Sequence, residues 1–188
     1  MNIILAMKKI TWLFVLLVSG TVNANPMFAP NTRNSVGIYV AQSTGHGDLA
    51  HLVLPSEWDV GPMTMVGVQY SQPVTFFRLP SRINLNLAQN FSYKSASGAS
   101  FAAVGVSIDV ALWSWCGWYA GIGVGPYMRD SGDRWVESRL VFGERAFVGK
   151  NITNTINAEI FTQHFSNGDF TDVNHGFNFV GLALNVSF

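Results

Sequence analysis

The sequence predicts an eight-stranded antiparallel transmembrane β-barrel, and three observations carry that prediction. The chain of 188 residues is 48 % hydrophobic and only 12 % charged, which suits one domain in contact with lipid better than one bathed in water. About eight segments alternate large apolar residues with small or polar ones, each about as long as a tilted membrane-crossing strand. Their connections alternate between short turns and longer loops rich in Gly, Asp and Asn, as they do between the two ends of an outer-membrane barrel.

Residues 1–24 read as a secretory signal peptide: Lys8 and Lys9, the apolar run Trp12 to Val18, then Val22-Asn23-Ala24 as a small-residue cleavage site. The apolar run is too short to span a bilayer as an anchor. Cleavage is expected after Ala24, leaving 25–188 as the barrel domain, and Met7 is an alternative start giving a signal of ordinary length. Without Lys8 and Lys9 the chain keeps nine basic and eleven acidic residues, a formal charge of −2, and shows nothing of a nucleic-acid binder.

Strands are expected near 36–42, 62–71, 83–93, 104–112, 117–127, 138–149, 155–166 and 177–187. In the third, Ile83, Leu85, Leu87, Phe91 and Tyr93 share one face, and Asn84, Asn86, Ala88, Asn90 and Ser92 the other. In the fourth, Val104, Val106, Ile108, Val110 and Leu112 oppose Gly105, Ser107, Asp109 and Ala111. A soluble, lipocalin-like barrel would turn the large apolar faces inward; here the small and polar faces suit the interior and the apolar ones suit lipid. Ser114-Trp115-Cys116 and Lys150 to Asn154 read as short turns, and 43–61, 128–137 and 167–176 as long loops. Trp113, Trp115, Trp118 and Tyr119 cluster beside a turn, where an interfacial aromatic girdle belongs.

A lone cysteine, Cys116, excludes an internal disulfide and a thiolate metal site, and its short turn has no histidine nearby in sequence to activate it. His46, His51 and His175 fall in loops, where a solvated role is expected, and their spacing marks no metal-binding helix. No metal or cofactor is expected. The tripeptide Asn151-Ile152-Thr153 matches a glycosylation sequon and reads as incidental in a bacterial-type outer membrane.

The chemistry concentrates near the end of the chain. In residues 156–166 the odd positions Asn157, Glu159 and Gln163 point to the lumen, so the even positions Ile156, Ala158, Ile160, Thr162, His164 and Ser166 face lipid. His164 and Ser166 then stand side by side, about 6–7 Å apart at the backbone. In the last strand Asn178 is the one polar member of a lipid-facing row with Val180, Leu182, Leu184, Val186 and Phe188. The two strands form a hairpin, so the three polar groups converge beside the 167–176 loop, at the extracellular end if both chain ends are periplasmic. Ionisable side chains toward hydrocarbon are costly and mark a functional site by default. The plainer reading is a girdle histidine beside a strand-end hydroxyl.

The run Glu159-Ile160-Phe161-Thr162-Gln163-His164-Phe165-Ser166-Asn167, followed by Asn174-His175-Gly176-Phe177-Asn178, resembles the PagL-type lipid A 3-O-deacylase family of outer-membrane enzymes. The likeness covers about the last thirty residues, with a looser match at Phe142-Gly143-Glu144-Arg145. It implies a serine esterase acting on an acyl chain, the 3-O chain, of lipopolysaccharide lipid A in the outer leaflet. His164 would be the general base and Ser166 the nucleophile, with Asn167 and Gly168 as the oxyanion site. Where the best-known members carry an acid twelve positions after the serine, this chain has Asn178. An amide still accepts a hydrogen bond from the histidine and holds its tautomer, but brings no negative charge; the expectation is either lower activity or assistance by Asp169 or Asp172 in the loop. The partners implied are lipid A and the lipids of the outer membrane; the oligomeric state stays open, a homodimer included. The alternative of another class is a non-catalytic small barrel serving structure, adhesion or surface interaction.

Overall fold

Alternation of bulky apolar and small polar residues produces strands whose two faces need different surroundings, and closure into a barrel supplies both without leaving an edge. The computed structural model describes residues 33–47, 58, 61, 63–93 and 100–188. The expected signal peptide, its cleavage site and His51 lie outside them. Eight strands follow in order: β1 (Ser35–Gly45), β2 (Met63–Phe76), β3 (Leu79–Ser92), β4 (Phe101–Trp115), β5 (Trp118–Arg129), β6 (Leu140–Asn151), β7 (Ile156–Ser166) and β8 (Phe177–Ser187). Each pairs antiparallel with its sequence neighbours, and β1 pairs with β8 to close the barrel. Both ends of the strand array, Ser35 and Ser187, meet at the end that carries the short turns.

The faces divide as expected. Ile38, Leu87, Val106, Val124, Ile160 and Leu182 are exposed on the outer wall. The lumen is filled by a paired polar core. The Arg82 guanidinium donates to Asp109 at 2.7 and 2.9 Å and to Glu159 at 2.6 and 2.9 Å, and Arg145 donates to Glu159 at 2.8 Å. The Tyr119 hydroxyl lies 2.8 Å from Asn157 Oδ1 and 2.9 Å from Glu159 Oε1. Tyr119 is therefore a lumen residue and not part of the girdle; it occupies the inward phase of β5, whereas Trp115 and Trp118 occupy outward phases. Trp113 joins them because a bulge between Ala111 and Trp113 shifts the register of β4 on β5.

Three turns are tighter than the sequence predicts. β2 and β3 run on through 72–82 to the two-residue turn Phe77-Arg78, with φ of 47° and 66°. These left-handed values make the mirror-image hairpin turn that matches strand twist, and neither residue announces it. Pro73 is tolerated within β2 because the ladder to β1 has ended at Ser71, leaving that side without a partner strand. Ser114 and Trp115 belong to β4, so the next turn is Cys116-Gly117. Lys150 and Asn151 likewise belong to β6, and residues 152–155 make the third.

Candidate functional site on the outer wall

β6, β7 and β8 each present one polar side chain outward at the same level. Strand register opposes Glu144 to His164, and His164 to Asn178. The even phase of β7 puts His164 and Ser166 on the outer wall while Glu159, Phe161 and Gln163 are buried inside. His164 is nonetheless only 6 % exposed, because its neighbours cover it.

Asn178 fixes one side of the imidazole: His164 Nδ1 and Asn178 Oδ1 are 2.7 Å apart. With the amide oxygen as acceptor, Nδ1 carries the proton and Nε2 keeps its lone pair. Gly176 fixes the other side. A Cβ there would fall 2.5 Å from His164 Cε1, and its φ of +67° suits glycine, so the loop backbone can lie against the ring only because this residue has no side chain. Ser166 is the next outward residue of β7 toward the long-loop end, half-buried opposite Phe142 of β6. Phe142 also packs edge-on against the exposed Phe170, ring centres 5.8 Å apart, so the serine lies beside an apolar patch.

The loop after Ser166 is built by Asn167. Its backbone N–H donates to Asn174 Oδ1 at 2.9 Å, its side-chain amide donates to Thr171 Oγ1 and to the Val173 carbonyl, and its Oδ1 accepts from the Asp169 N–H at 2.9 Å. The donors of Asn167 are thus committed to the loop. Gly168, at φ +64°, turns its peptide at the position next to them. Asp169 accepts from Asn174 at 2.9 Å, and Asp172 is exposed, so neither expected helper joins the His164 row. The carboxylate in that row is Glu144, which strand register reveals and the loose Phe-Gly-Glu-Arg match only brushed.

Above the row, three long loops are stitched together. His46 stacks on Trp135 with ring centres 4.1 Å apart, and its Nδ1 lies 2.9 Å from the Gly176 carbonyl oxygen. His46 is therefore half-buried and structural, where a solvated role was expected. His175 is exposed but packs edge-on against Trp135 at 5.5 Å, and its N–H donates to the Trp135 carbonyl.

Comparison with known proteins bears on this geometry. The family model described as lipid A 3-O-deacylase (PagL) matches residues 64–187. Among solved structures, Neisserial surface protein A is similar at a TM-score of 0.58 and 12 % identity, covering 82 % of this chain and 97 % of that one. The outer membrane enzyme PagL is similar at a TM-score of 0.53 and 13 % identity, covering 81 % of this chain and 99 % of that one. These two likenesses speak to the fold. No curated protein matches.

Proposed function

Because the chain belongs to the lipid A 3-O-deacylase (PagL) family, an outer-membrane β-barrel family, we propose that it is a serine esterase releasing an ester-linked acyl chain, the 3-O chain, from lipid A in the outer leaflet. Outer-membrane barrels turn their short hairpins and termini to the periplasm, so the long loops and the His164 row face outward. The observation that carries the reading is the His164–Asn178 hydrogen bond of 2.7 Å on the outer wall, one outward position from Ser166. A histidine held in one tautomer beside a serine on a lipid-facing surface has a simple chemical use, and acyl chains of lipid A lie along that same surface.

In this reading Ser166 Oγ attacks the acyl carbonyl carbon as His164 Nε2 takes its proton. The tetrahedral oxyanion accepts from the Gly168 N–H; Asn167, its own donors committed to the loop, acts by holding the segment that presents Gly168. Collapse of the intermediate breaks the ester C–O bond, and the histidine returns its proton to the departing sugar hydroxyl. Water, deprotonated by the same nitrogen, then attacks the acyl-serine; the acyl–Oγ bond breaks, the histidine returns the proton to Ser166 Oγ, and the fatty acid leaves. No step calls for a metal.

The test is the mass of lipid A from cells producing the protein. Loss of one hydroxyacyl chain is expected, and Ser166→Ala should prevent it while the barrel still inserts. A barrel serving only structure or surface interaction leaves the mass unchanged, and that result in the presence of well-folded protein overturns the proposal.

A further inference from the structure

Glu144 is out of place on its strand. The outward row of β6 runs Leu140, Phe142, Glu144, Ala146 and Val148, so a carboxylate interrupts an apolar wall. Its Oε2 is buried without a hydrogen-bond partner. The lumen acids Glu159 and Asp109 pair with arginines; Glu144 points away from them and takes no part in that network. Its register partner on β5 is Val124, which offers nothing polar, and its partner on β7 is His164.

Directly opposed side chains on neighbouring strands have Cβ atoms about 4.5–5.5 Å apart, so the Glu144 side chain stands beside the imidazole opposite it, within the range of a charge interaction. Asn178 approaches the same ring from the other flanking strand and occupies Nδ1. The row Glu144–His164–Asn178 therefore divides between two residues what one acid does in a serine-histidine-acid site: orienting the ring, and balancing the charge it acquires. We propose that Glu144 is the positioning residue that supplies negative charge to the His164 imidazolium, while Asn178 sets the tautomer. The inference rests on the deacylase reading above. Among the described residues, Asp169 of the loop is bonded to Asn174, and Asp172 and Glu137 are exposed.

The experiment uses the full-length protein purified in detergent micelles with lipopolysaccharide as substrate, and heat-modifiable migration to confirm the folded barrel. Glu144→Gln should lower kcat about ten- to a hundredfold with KM little changed, since the charge acts when the imidazolium forms. Adding Asn178→Glu to that variant should restore kcat to within a few-fold of the parent, because a carboxylate is then available from the opposite strand. A structural role for Glu144 predicts no such recovery. If Glu144→Gln does not insert, Glu144→Leu, which suits a lipid-facing position, carries the same two expectations. An active parent whose Glu144 variants keep full kcat, or are not recovered by Asn178→Glu, overturns this inference alone. A folded parent that leaves lipid A intact overturns the deacylase reading and this inference with it.

Discussion

Two of the buried polar assemblies of the barrel are of opposite construction. In the lumen, Arg82 and Arg145 meet Glu159 and Asp109 with charges balanced, and Tyr119, Asn157 and Gln69 complete the network. On the outer wall the row of Glu144, His164 and Asn178 includes the short His164–Asn178 hydrogen bond and leaves two buried atoms, Glu144 Oε2 and Asn178 Nδ2, without partners. The lumen face also has stray atoms: Asp109 Oδ1 and Arg145 Nε belong to groups ion-paired through another atom, while Asn90 Oδ1 and Ser114 Oγ are an isolated neutral acceptor and hydroxyl rather than members of a row. The contrast separates polar residues that hold the fold from polar residues the fold holds at its own expense. The second kind is where the proposed site lies, since unmet hydrogen-bonding capacity against lipid has no structural return.

Mutations on the two sides should therefore part stability from activity. The largest effect is expected from His164→Ala: lipid A deacylation falls about 10³- to 10⁴-fold, roughly 4–5.5 kcal/mol of barrier, while unfolding in urea is little changed. A comparable loss of stability would erase the distinction. Glu159→Ala should do the converse. It leaves the buried Arg145 without its carboxylate and Arg82 with Asp109 alone, and should cost about 3–5 kcal/mol of unfolding free energy, with kcat per folded molecule preserved. Gly176→Ala tests the border between the regions, since the new methyl meets the His164 ring and forces a left-handed backbone on alanine. A loss of about tenfold in kcat is expected, with about 1–2 kcal/mol of local destabilisation. The smallest effect should come from Tyr119→Phe, which removes a hydroxyl shared by Asn157 and Glu159 and should lower stability by about 1–2 kcal/mol without touching turnover.

Most of the barrel was legible along the chain because strand faces are written in neighbouring residues. β3, β4, β7 and β8 show their two faces by alternation, and that alone puts His164, Ser166 and Asn178 on one wall. Local signals failed where the backbone departs from its usual preferences. Phe77 and Arg78 adopt positive φ with no Gly or Asn to mark the turn, so β2 and β3 are longer than their patterns. The bulge in β4 breaks the alternation on which Trp113 and Trp115 depend. Tyr119, with an apolar ring and a polar tip, suits an interface and a polar lumen equally, and its proximity to three tryptophans pointed the wrong way.

What the sequence by itself determined is the strand count, the apolar wall and the residues His164, Ser166 and Asn178 upon it, because a period of two is a property of the chain alone. What only the tertiary structure decided is who stands opposite whom. Glu144 faces His164, Tyr119 reaches Glu159, and His46 stacks on Trp135 through pairings between distant strands and loops. Register is set when the barrel closes and each strand must satisfy two neighbours at once, and no single strand carries that information.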